Sequence, residues 1–181
     1  MQITRDHWLT PARRLESPNC NERPDPRAIE LVVIHGISLP PGRFGGSFIR
    51  DLFLNRLDTA AHPAFAELGG LRVSSHLLIT RRGGVTQFVP FDRRAWHAGE
   101  SVWRRRPGCN DYAIGIELEG TDARAYTNSQ YRKLSRVLEA LLARYPRLSP
   151  EAVVGHFEIA PGRKTDPGRS FDWPRLLIGK T

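Results

Sequence analysis

Two of the six histidines, His35 and His156, each follow a short apolar run, Val32-Val33-Ile34 and Val153-Val154-Gly155. A strand end of that kind can aim a side chain into a cleft. Two imidazoles meeting there would suit Zn2+, which takes nitrogen and oxygen ligands in tetrahedral geometry and, in catalytic sites, keeps one position for water beside three protein ligands. Asp166, ten residues beyond His156 in the loop Arg163-Lys164-Thr165-Asp166-Pro167-Gly168, can supply the third ligand. The same residues could be two core histidines and a turn aspartate, and a single His-to-Asp spacing does not choose between the readings. Glu117 shares a strand face with Glu119. On a solvent-facing edge it would be inert. Beside a metal-activated water, whose pKa falls to about 7, it could take a proton and later return it to a leaving group. Lys164 lies between His156 and Asp166, so its ammonium could reach a developing oxyanion, or stay solvated in a basic loop.

Strands and helices must position these groups. Ile29-Glu30-Leu31-Val32-Val33-Ile34 reads as a central strand covered on both faces and ending at His35-Gly36. Ala113 to Leu118 alternates, with Ile114, Ile116 and Leu118 on one face and Gly115, Glu117 and Glu119 on the other. Ser75 to Thr80 and Val85 to Pro90 flank Arg81-Arg82-Gly83-Gly84 and predict a hairpin, and Ala152 to His156 is one more short strand ending in Gly-His. Phe48, Leu52, Phe53 and Leu57 predict a helix from Ser47 to Asp58. The clearest helix starts at Thr127-Asn128-Ser129-Gln130, which has the form of a capping box; its stripe runs through Tyr131, Leu134, Leu138, Leu141, Leu142 and Tyr145 until Pro146. A short terminal helix capped by Asp172 is expected, and the stretch to about Arg27, rich in Pro, Asn and Arg, reads as an irregular arm laid over the rest. The fold class expected is mixed α/β, a single domain over residues 1–181 with a central mixed sheet flanked by helices.

A chain of 181 residues is long enough for one core, and 40% hydrophobic with 25% charged residues argues against both disorder and a fibrous repeat. The formal charge of +8 would attract any polyanion. The arginines are scattered in twos and threes, with no long basic helix and no zinc-finger spacing, so no nucleic-acid partner is expected. The N-terminus lacks a secretory apolar run and no stretch approaches a membrane span, which makes a cytoplasmic protein with no membrane partner the expectation. Cys20 and Cys109, far apart and without a CxxC, read as reduced thiols.

Several segments, taken in order, carry a likeness: Phe44-Gly45-Gly46-Ser47, Arg72-Val73-Ser74-Ser75-His76, Trp96-His97-Ala98-Gly99, Gly115-Ile116-Glu117-Leu118-Glu119-Gly120, Gly155-His156 and Arg163-Lys164-Thr165-Asp166-Pro167-Gly168. Together they resemble the zinc-dependent N-acetylmuramoyl-L-alanine amidase family over nearly the whole chain. The resemblance implies an amidase/peptidoglycan-recognition-like fold and one Zn2+ per chain on His35, His156 and Asp166. It further implies Glu117 as catalytic acid and base, Lys164 as transition-state stabiliser, and a monomeric enzyme. The implied substrate is an anhydromuropeptide, cut between the lactyl group of the anhydromuramyl sugar and L-alanine in peptidoglycan recycling. Arg72 and Arg106 match positions that contact the stem peptide, whose carboxylates suit arginine. Trp96 and His97 could line the sugar pocket, and His97 could instead stand behind a metal ligand. Relatives that bind muropeptides without cutting them typically lack a ligand, so the complete set here favours an enzyme over a sensing module.

Overall fold

A computed structural model describes residues 1–176. The strands are β1 (Gln2–Ile3), β2 (Leu9–Thr10), β3 (Arg13–Arg14), β4 (Cys20–Glu22) and β5 (Leu31–Ile37), followed by helix α1 (Phe48–Phe53). Then come β6 (Leu77–Ile79), β7 (Val85–Gln87), β8 (Arg93–Ala95), β9 (Val102–Trp103), β10 (Arg106–Pro107) and β11 (Ala113–Glu119). Helix α2 (Asn128–Arg144), β12 (Val153–Gly155) and the one-turn helix α3 (His156–Ile159) complete the set. The main sheet has six strands in the order β12-β5-β11-β6-β7-β3. It is mixed: β12, β5, β11 and β6 run parallel, β6 and β7 form the expected antiparallel hairpin, and β3 adds parallel to β7.

β11 lies between β5 and β6, and all seven of its residues are buried. Glu117 is therefore in the interior of the sheet, and a solvent-facing edge is ruled out for it. Side chains alternate across this sheet as pleating requires. Val32, Ile34, Ile114, Ile116 and Leu118 join Leu77 and Ile79 in one apolar cluster with Tyr131, Leu134, Val137, Leu138 and Leu141 of α2. The opposite face carries Leu31, Val33 and Ala113 in a second cluster, and Leu78 in a third with Ile49, Leu52 and Phe53 of α1. Glu117 and His35 belong to this second face.

The capping box is present: the Gln130 amide donates to Thr127 Oγ1 and the Thr127 amide to Gln130 Oε1, satisfying two otherwise orphaned N–H groups. At the other end Tyr145 is extended, the conformation that a following proline imposes.

Four expectations need correction. β5 runs two residues past His35, because Gly36 and Ile37 still pair with Leu118 and Glu119. α1 ends at Phe53 instead of Asp58: Asn55 takes the left-handed conformation (φ 58°), and Asp58 turns outward to cap a separate turn by accepting from the Ala60 amide. The arm to Arg27 is not irregular, since β1 pairs with β2, β3 extends the main sheet and β4 pairs with β8. These strands are only two or three residues long, and β2, β3 and β4 each have a proline within two residues of an end. Near the C-terminus Trp173–Arg175 is a single 3-10 turn whose preceding Asp172 makes no side-chain cap, and anything after Leu176 lies outside the described residues. Both cysteines are free thiols. No helix among the described residues is long and apolar enough to cross a membrane.

Candidate metal centre and active site

Parallel register does the first part of the assembly. Glu117 on β11 is the direct neighbour of His35 on β5, and both point to the face away from α2. On the other side of β5, Gly155 of β12 pairs with Ile34, so the next residue, His156, emerges beside His35. His156 does not end the strand, as expected from sequence; it begins α3, where the Gly155 amide donates to Glu158 Oε1 at 2.7 Å. The chain then loops back, and the Phe157 amide donates to the Asp166 carbonyl at 3.1 Å, which returns the Asp166 side chain to the two imidazoles.

The result is a triangle of donor atoms. His35 Nδ1 and His156 Nδ1 are 3.0 Å apart, and Asp166 Oδ2 lies 3.2 Å from the first and 3.1 Å from the second. Both histidines are buried. His156 Nε2 lies 3.1 Å from the carbonyl oxygen of Ala98. A carbonyl only accepts, so Nε2 carries the proton and Nδ1 presents a lone pair to the centre. Burial, assisted by His156 and opposed by the Asp166 hydrogen bond, lowers the His35 pKa to about 4 and keeps that ring neutral near pH 7. Burial works to raise the Asp166 pKa, yet the closeness of the His156 and His35 rings, which hydrogen-bond the carboxylate when they are protonated, holds it well below the carboxylate range. Two imidazole lone pairs and a carboxylate oxygen turned toward one another repel unless a cation lies among them. That N2O donor set could hold a divalent metal such as Zn2+.

Glu117 is 8% exposed, and its Oε2 is buried without a hydrogen-bond partner. Burial, and then the negative charge of Asp166, push its pKa well above the carboxylate range, with Lys164 pulling the other way. Buried carboxyls with raised pKa are the groups that exchange protons near neutral pH. Glu117, Lys164 and the three donors line one open cavity of about 230 Å3.

Of the proposed substrate contacts, Trp96 and His97 line this cavity. Arg72 is exposed between Leu71 and Val73, which also line it. Arg106 is set apart from the lining: it donates to Glu30 Oε2 at 2.7 Å and stacks over Tyr112 at 3.9 Å. His97 has a second relation to the site, because its Nδ1 is 3.0 Å from His35 Nε2. Its ring lies on the sheet over Gly115, where an added Cβ would be 2.4 Å from the His97 ring. Sequence reasoning missed Asn110. Its Oδ1 accepts the backbone amides of both His97 (3.1 Å) and Ala98 (2.9 Å), and so it holds a segment that touches both histidines, His97 against His35 and the Ala98 carbonyl against His156. No motif marks an asparagine for that task; the one signal in sequence is Gly115, the small residue in a β-branched strand.

A raised carboxyl beside a three-donor metal pocket, presented from the carboxyl ends of parallel strands, is the equipment of a hydrolase. The profile of the N-acetylmuramoyl-L-alanine amidases matches residues 25–169, and the chain belongs to that enzyme family, as its motifs implied. It is 55% identical over 169 residues to the 1,6-anhydro-N-acetylmuramyl-L-alanine amidase AmpD of Salmonella typhimurium strain SL1344, covering 93% of this chain and 90% of that one. To AmpD of Escherichia coli K12 it is 54% identical over 171 residues, 94% of this chain and 93% of the relative. The fold is similar to the crystal structure of a selenomethionine derivative of AmpD, with a TM-score of 0.94, 53% identity and 97% of each chain covered. It is also similar to Escherichia coli AmiD in complex with the substrate anhydro-N-acetylmuramic acid-L-Ala-D-gamma-Glu-L-Lys (TM-score 0.60, 32% identity, 82% of this chain and 56% of that one).

Proposed function

We propose that this chain, acting as one domain, is a zinc-dependent amidase of cytoplasmic peptidoglycan recycling. In this reading it hydrolyses the amide between the lactyl group of 1,6-anhydro-N-acetylmuramic acid and the L-alanine of the stem peptide. The substrate follows from the AmpD relatives, at 54–55% identity. The observation that carries the reading is the pairing of His35 with Glu117 across two parallel strands, beside donor atoms 3.0–3.2 Å apart.

His35, His156 and Asp166 would hold Zn2+, which supplies Lewis acidity and lowers the pKa of water to about 7. In its ionised form Glu117, whose Oε2 is free of other hydrogen bonds, accepts the proton of the attacking water and delivers it to the leaving amine nitrogen. The Lys164 ammonium faces the carbonyl oxygen as negative charge grows on it. Trp96 lines the cavity on the sugar side, while Arg72 and Arg106 would meet stem-peptide carboxylates, Arg106 after leaving Glu30.

Glu117→Gln keeps the volume of the side chain and removes its proton chemistry. Metal analysis should find one zinc per chain in this variant, while release of stem peptide from anhydromuropeptide, followed by mass spectrometry, drops by roughly 10²–10⁴-fold. Near-parental turnover in the variant would sink the assignment. Tight binding of the muropeptide to the zinc-loaded parent without any product would favour a sensing module instead.

A further inference from the structure

A second pocket lies away from the cleft, where the β6–β7 turn meets the start of α2. Its concavity of about 240 Å3 is lined by Arg82, Gly83, Ser129, Arg132, Lys133 and Arg136. Four of those six residues are cations from two separate elements, and the lining contains no acid. Outside the pocket a minority of the arginines have such partners: Arg14, Arg27, Arg93, Arg94, Arg106 and Arg147 are each within 4 Å of a carboxylate. Among the described residues, none of these four makes such a pair.

The arrangement is costly for an isolated fold. Arg132 and Arg136 stand one helical turn apart, a spacing at which like charges repel. They and Lys133 follow a first turn without any acidic residue. The pocket is also held rigid. Thr127 Oγ1 donates to the Arg81 carbonyl at 2.7 Å, tying the turn to the helix cap. Gly83, in the left-handed region at φ 80°, lies so close to the helix that an added Cβ would be 3.1 Å from the Ser129 carbonyl. Arg132 Nη2 donates to Ser129 Oγ at 3.1 Å, which turns its fork along the pocket.

We infer that this pocket is a binding site for a compact multivalent oxyanion, a diphosphate group carried by a small molecule. Guanidinium forks bind phosphate oxygens bidentately, and several around one concavity suit adjacent phosphates. None of the six lining residues is aromatic or aliphatic, so the pocket offers no stacking platform for bases and no seat for an acyl chain. Its bound anion would relieve the repulsion that the four cations impose on one another.

The test is a residue-resolved amide NMR titration of the zinc-loaded full chain at physiological salt with pyrophosphate, orthophosphate and a 20-base-pair duplex in separate arms. Pyrophosphate should bind one to one, more tightly than orthophosphate, with shifts concentrated at Arg82 to Gly84 and Ser129 to Arg136. The Arg132→Ala/Arg136→Ala variant, which should retain the amidase activity of its parent, should weaken pyrophosphate roughly tenfold per arginine removed. Three results would overturn the proposal: no saturable shift, shifts centred on the cavity around His35, or duplex binding tighter than pyrophosphate at the same salt.

Discussion

Glu117 and Asp166 are two carboxyls lining one cavity, and their surroundings drive them to opposite protonation states. Glu117 lacks a partner and is raised, while two imidazoles hold Asp166 ionised. Asp166→Ala should abolish stoichiometric zinc and activity together, as seen by metal analysis of the purified protein. Asn110→Ala makes a subtler case, because Asn110 touches no donor atom of the triangle. Losing it frees the amides of His97 and Ala98, and with them the groups that orient His35 and His156. The expected result is a 10–100-fold weaker zinc affinity in competition with a chelator, with the fold retained by circular dichroism. Unchanged affinity would show that the histidines need no such support.

The elements divide their labour by face. α2 stabilises the side of the sheet away from the cleft, so changes there should alter stability and leave the chemistry alone. Leu138 is fully buried in that cluster, and Leu138→Ala should cost about 2–5 kcal/mol in denaturant unfolding while KM stays constant. A raised KM would mean that α2 reaches the cleft. The same division explains what could be read in advance. α2 was legible from Thr127 to Pro146 because its cap, its stripe and its stop are all local signals. α1 was overestimated because Leu57 keeps the helical period after Asn55 has already turned the chain, and periodicity does not register a left-handed residue. The strands of the N-terminal arm were invisible for a different reason: β3 has two exposed arginines and exists because β7 offers an unpaired edge.

For the whole molecule, burying neutral histidines in one core couples folding to pH. His35 has a folded pKa of about 4 against an ordinary 6.5, and burial also places His76 and His97 well below 6.5. The unfolded chain thus binds more protons than the native one in this window, so the stability they contribute is complete above pH 6.5 and lost as pH falls toward 4. For His35 alone the difference is about 3 kcal/mol. Glu117 works in the opposite sense above its ordinary 4.5, since the native protein retains a proton that the unfolded chain releases. Metal-free protein should therefore melt at a lower temperature at pH 4.5 than at pH 6.5, and Glu117→Gln should widen the gap by removing the opposing group. A melting temperature that is level across this range would contradict the buried neutral histidines. The sequence by itself determined the amidase motifs, the mixed sheet, the α2 cap and the residue types able to take a metal, because each depends on neighbours within a few positions. Only the tertiary structure decided that Glu117 is interior, that His156 opens a helix, that Arg106 is engaged by Glu30, and that Asn110 supports both histidines. These depend on strand register and loop return between residues up to 121 positions apart, and such pairings are set by what the finished core can bury.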